Sequence, residues 1–225
     1  MIEKHILTKI QFIHKLIKKV VNLMNLNEDI NINSFVAYKG KEIRFEKIYQ
    51  ALSKECPNGY KIDIQIFGDV VFAKVIRDDC YIYDREPYYE DGVLAVGSYD
   101  LDELIFINKK YSQGDLEQPY KIINAIYKNS SNSIFEELKS SIHFCAAIWD
   151  VNKKVLMAGV TEPDDENTTL YCVYTREKNE VVFSNNKNVL GRLCDERTIM
   201  KMKDNTYMEN GIIYSLENSK KQVLK

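Results

Sequence analysis

The sequence of 225 residues predicts an α+β fold, and three observations lead there. Strand-like runs occupy residues 34–38, 61–77 and 93–96; two helical segments follow; a meander of hairpins then fills residues 143–184. Strands and helices that segregate along a chain, rather than alternate, build layers of antiparallel sheet with helices packed on them. A basic amphipathic helix stands in front of this body, so the chain divides into residues 1–33, helix and linker, and residues 34–225, the globular domain.

The leading helix is predicted over residues 3–24. Ile6, Ile10, Ile13, Ile17, Val20 and Met24 recur at spacings of three and four, while Lys4, Gln11, Lys15, Lys18 and Asn22 take the opposite face. Residues 25–33 are a polar stop. Ser34 then opens a strand through Phe35, Val36, Ala37 and Tyr38, closed by Lys39 and Gly40. Helical spacing returns over residues 42–54 through Ile43, Ile48 and Leu52, and Cys56-Pro57-Asn58-Gly59 ends it. In residues 61–77 Ile62, Ile64 and Ile66 alternate, Gly68-Asp69 turns, and Val70 to Ile76 is nearly all apolar. Asp91-Gly92 is a second turn before Val93-Leu94-Ala95-Val96. Residues 118–127 and 133–140 read as helices, the latter with Ser133 as N-cap and Glu136 as its capping-box partner. Residues 143–150 and 155–160 form a hairpin about Val151–Lys154, and residues 169–175 and 181–184 form another about Arg176–Asn179.

Composition narrows the function classes. A net charge of -2 gives no reason to expect nucleic-acid binding. Five widely spaced cysteines and three histidines offer neither metal-ligand spacing nor a histidine triad, so no metal and no cofactor is expected, and reduced thiols point to the cytoplasm. No apolar run reaches transmembrane length, and lysines interrupt the N-terminus throughout, unlike a signal peptide.

The order of elements resembles the class II glutamine amidotransferase domain, an N-terminal-nucleophile hydrolase fold. FCAAIWDVNKKVLMAGV followed by TLYCVYTREKNEVVFSNN looks like that family's paired-strand module; EPYYEDGVLAVGSYDLDEL and GDLEQPYKIINAIYK are similar to segments upstream of it. The resemblance spans residues 34 to about 215 and implies a sandwich of two antiparallel sheets flanked by helices, with residues 143–184 supplying adjacent strands. It also assigns positions. Ser34 falls at or beside the nucleophile, without the family's cysteine, and as a mid-chain residue its nitrogen is an amide. Val96-Gly97 replaces the Asn-Gly oxyanion pair, keeping one backbone N–H and losing the side-chain donor. Lys74 stands for the Arg that grips the substrate carboxylate, Asp115 for the Asp that meets the substrate amino group, and Pro57-Asn58-Gly59 for an Arg-Gly segment. Read without the family, Lys74 and Asp115 are solvated charges and Gly97 a bend glycine.

The expectation is therefore a catalytically degenerate amidotransferase-like protein acting as a binding or structural module, with a vestigial small-molecule pocket. A protein partner, or a second copy, is expected to meet the N-terminal helix. Two alternatives stand beside it. One is an active amidohydrolase matured by cleavage before Ser34; the other is a peripheral membrane protein bound through the basic helix. Tyrosines of YIYDREPYY serve either a protein contact or edge-strand packing.

Overall fold

The structure, a computed structural model, describes residues 34–78, 86–99, 121–129, 134–135, 143–161, 168–216 and 221–223. All of them belong to the compact unit Asn31–Lys225. The basic helix of residues 3–24, Asp115 and most of the segment 133–140 lie outside the described residues.

Two antiparallel sheets make up the body. The first contains β1 (Phe35–Lys39), β2 (Tyr60–Phe67), β3 (Val70–Arg77), β8 (Tyr171–Thr175), β9 (Glu180–Ser184) and β10 (Met200–Lys201), in the order β10-β8-β9-β1-β3-β2. The second contains β4 (Tyr88–Glu90), β5 (Val93–Tyr99), β6 (Phe144–Asp150), β7 (Val155–Val160), β11 (Thr206–Glu209), β12 (Ile212–Ser215) and β13 (Lys221–Val223), in the order β13-β12-β11-β7-β6-β5-β4. The α-helices whose bounds fall within the described residues are α1 (Phe45–Ser53), α2 (Ile122–Asn129) and α3 (Lys187–Leu193).

Strand alternation sorts the side chains into layers. Phe35, Phe72, Leu94, Val96, Cys145, Trp149 and Phe183 come from both sheets and fill the space between them. On the outer face of the first sheet, Val36, Val71, Ala73 and Val75 meet Ile48 and Leu52 of α1 and Val189 and Leu190 of α3. On the outer face of the second, Val93, Ala95, Ala146 and Ile148 meet Ile123 and Ile126 of α2. Asn124 of α2 also donates to the Val93 carbonyl at 3.0 Å. β6 is buried at every position, which explains why FCAAIWD reads as an unbroken apolar run instead of an alternating one.

The hairpins follow turn chemistry. Glu90 pairs with Val93 across Asp91 and Gly92, whose φ values are 49° and 82°. Glu209 pairs with Ile212 across Asn210 and Gly211, at 50° and 77°. Two successive left-handed residues give the tight turn whose twist matches that of the strands, and Asp-Gly and Asn-Gly enter it at least cost. The meander of residues 143–184 is divided, however. β6 and β7 pair in the second sheet, while β8 and β9 pair in the first, because the chain crosses between sheets after Thr161. A hairpin pattern fixes pairing within each hairpin and says nothing about which sheet receives it.

One carboxylate anchors the turn from β1 into α1. Glu180 Oε1 accepts from Tyr38 Oη at 2.9 Å, the Lys41 amide at 2.8 Å and the Glu42 amide at 2.9 Å. Tyr38 Oη in turn accepts from the amides of Glu42 and Ile43. Burial raises the Glu180 carboxyl, but those amides, the Tyr38 hydroxyl and Lys178 outweigh it and hold the group below its ordinary 4.5. Tyr38 is pushed up to about 12, chiefly by burial. Because the folded value of Glu180 is depressed, its stabilisation is complete above the ordinary carboxylate range and disappears as pH falls through the folded value. Glu180→Gln is expected to lower stability at neutral pH and to flatten the acid limb of the pH–stability curve. Urea denaturation at a series of pH values measures both.

Candidate functional site

A buried charge decides where chemistry is concentrated. β3 is VVFAKVIR, and Lys74, its fifth residue, is 4% exposed. Its register partner is Phe35, so both side chains leave the first sheet toward the second. An ammonium in that position is costly unless an opposite charge and hydrogen bonds accompany it.

The counter-charge is Glu86, which is fully buried and stands two residues before β4. Lys74 Nζ lies 2.7 Å from Glu86 Oε2. The Gly97 amide donates to the same oxygen at 3.1 Å, and Tyr99 Oη donates to Oε1 at 2.6 Å. Lys74 Nζ also sits 5.7 Å from the centroid of the Tyr99 ring. One carboxylate thus receives an ammonium from the first sheet and an amide and a phenol from the second. The ammonium and phenol bonds are short, charge-assisted bonds of the strong class.

The amide is available because a ladder ends there. β4 pairs with β5 as far as Tyr88 opposite Ala95. Two residues on, Gly97 remains paired with Ala146 of β6 on one side, and on the other its N–H meets the Glu86 carboxylate where a strand carbonyl would otherwise be. Gly97 therefore belongs to a regular strand and does not mark a bend. A Cβ at this position would come within 3.0 Å of the Cys145 carbonyl and 3.3 Å of the Tyr99 ring, so the small residue permits the close approach.

Ser34 is placed differently. It is fully buried, and its carbonyl accepts from the Val75 amide at 2.9 Å. Its hydroxyl accepts from Asn186 Nδ2, also at 2.9 Å. Asn186 is the N-cap of α3, on the outer face of the first sheet. It also donates to Glu55, which pairs with Arg192 of α3. Ser34 and Lys74 therefore use opposite faces of one sheet. Lys74 and Gly97 are brought together through Glu86, Val96 packs between the sheets, and Asp115 lies outside the described residues.

Lys74 is buried and paired, not a solvated surface charge. Glu86 and Tyr99 were not singled out in the sequence, although a lone lysine in an otherwise apolar strand already demanded a carboxylate. Tyr89 of the same stretch is exposed at one side and packs against Phe67, their ring centroids 4.7 Å apart, linking the edge strands of the two sheets. An open groove of about 530 Å³ lies elsewhere, lined by Tyr38, Arg44, Phe45, Ile66 and Asp69, and shares no residue with the cluster. Among the described residues no group of three or more His, Cys, Asp or Glu could hold a metal ion, and no helix is long and apolar enough to cross a membrane.

No family model and no curated protein matches the chain. Among solved structures, the fold is similar to that of a glutamine aminotransferase class-II domain protein from Silicibacter pomeroyi. The TM-score is 0.48 at 9% identity, over 85% of this chain and 99% of that one. No residue role follows from a likeness this distant.

Ser34→Ala removes the acceptor of a buried amide, while Asn186 keeps Glu55. The expected loss is about 1 kcal/mol, the net worth of one such hydrogen bond, read from the urea midpoint at unchanged slope.

Proposed function

We propose that this chain is a catalytically silent protein of the class II glutamine amidotransferase type, serving as a binding or structural module. One observation carries the reading. The Gly97 amide and the Lys74 ammonium, which the resemblance assigns to the oxyanion and to the substrate carboxylate, already bind the chain's own Glu86. A donor committed to an internal carboxylate does not stabilise a developing oxyanion, and loss of one such donor typically costs ~100- to 1000-fold in rate.

Two further features support it. The hydroxyl of Ser34 is engaged by Asn186 under the helical layer, on the other face of β1 from the Lys74 cluster. Its nitrogen lies in a peptide bond and cannot act as the base that an N-terminal nucleophile requires. The cysteines among the described residues supply no substitute. Cys145 and Cys172 are buried, and burial pushes the Cys172 thiol up to about 12, far from a reactive thiolate. Reduced, inert thiols accord with a cytoplasmic protein. Within this reading the basic amphipathic segment of residues 3–24 provides the surface for a protein partner.

The test is glutamate release from glutamine by the purified full chain, with intact mass measured in parallel. Expected are no turnover and an uncleaved mass. Turnover that disappears in Ser34→Ala, with a mass lacking residues 1–33, would overturn the proposal.

A further inference from the structure

We infer that Lys74, the Gly97 amide and Tyr99 Oη form a receptor for a monocarboxylate, closed in the intact chain by Glu86 acting as an internal ligand. The donor set has the form of a binding site. Its cation is nine-tenths buried, and its neutral donors approach both carboxylate oxygens, with Lys74 and Gly97 on Oε2 and Tyr99 on Oε1. A planar carboxylate with two accepting oxygens and one negative charge satisfies all three donors together. The donors also come from two sheets, each kept in register by its own neighbouring strands. Lys74 is held in register by β1 and β2, and Gly97 and Tyr99 by β6.

Glu86 occupies this receptor from a different element, the approach to β4. It thus fills the receptor as an internal ligand: an external carboxylate binds only when that side chain is absent. The occupancy also sets the size of the ligand. Truncating glutamate to alanine removes a methylene and a carboxylate, which is one acetate. The inference is independent of whether the chain hydrolyses glutamine, since it concerns equilibrium binding at Glu86.

The experiment is chemical rescue. Glu86→Ala, in the full chain, is titrated with sodium acetate at constant ionic strength made up with chloride, and thermal unfolding is followed. Expected is a saturable rise in midpoint of roughly 3 to 6 °C at about tenfold excess over the dissociation constant. The same titration should leave the wild type unmoved, because Glu86 fills the site, and should leave Glu86→Ala/Lys74→Met unmoved, because the cation is gone. If Glu86→Ala does not fold alone, refolding yield with acetate against chloride replaces the midpoint. A midpoint or yield that responds equally to acetate and chloride would overturn the inference. So would an acetate response that survives Lys74→Met. Failure of the rescue leaves the glutaminase assay unaffected, so the two proposals fall separately.

Discussion

The carboxylate of Glu86 is the constraint on which the architecture around the site depends. A lysine in the middle of a buried strand would normally be a fault in a sandwich core. Here its charge is matched at 2.7 Å by a fully buried glutamate, and the same glutamate collects an amide and a phenol from the opposing sheet. The apolar residues between the sheets hold them face to face without direction, whereas this contact is directional. It fixes the end of β5 beyond Ala95 against Lys74 of β3, and it supplies the acceptor that the Gly97 amide would otherwise lack once β4 has stopped. Removing one partner of such a pair leaves an uncompensated charge in the interior, which is why both residues are needed together.

The same contact sets what the site can do. The Gly97 amide and the Lys74 ammonium both face a carboxylate already in place. Ser34, meanwhile, contributes to a separate network of Asn186, Glu55 and Arg192 that joins β1 to the helices of the outer layer. Lys74 enters its network from the inner face of the first sheet, and Ser34 enters the other from the outer face, beneath α1 and α3. Ser34 and Lys74 thus serve two separate networks.

Much of the fold was legible because it rests on local rules. Asp91-Gly92 and the run of residues 151–154 announced hairpins, and Ile48 and Leu52 lie on the buried face of α1 as their spacing implied. Division of the residue 143–184 meander between sheets was not legible, since turn chemistry pairs neighbours without choosing their layer. The seven residues of α3 make up about two turns, too few for an apolar pattern to repeat, although Asn186 caps it by accepting from the amides of Asn188 and Val189. β11 and β12 are four residues each and only partly buried, so alternation had little length in which to show. At the site, the environments of two residues differ from their reading in the sequence: Lys74 reads as solvated and is buried, and Gly97 reads as a bend and lies in a regular strand. Glu86 was invisible because its partners lie 11 to 13 residues away across a strand end, a relation that no sequence period encodes. Ser34 illustrates the sensitivity of strands to parity: it is adjacent to Phe35, and that single step along the chain places its hydroxyl on the opposite face.

The most direct measurement is a double-mutant cycle on Lys74 and Glu86, using Lys74→Met, Glu86→Gln and the double variant, with unfolding free energies from urea titration at neutral pH. If the buried pair organises the junction of the two sheets, each single variant loses ~3 to 5 kcal/mol and the double variant loses much less than their sum, with a coupling of ~2 kcal/mol or more. Losses that add to within ~0.5 kcal/mol would mean that the two charges act independently, and would contradict the role given to Glu86.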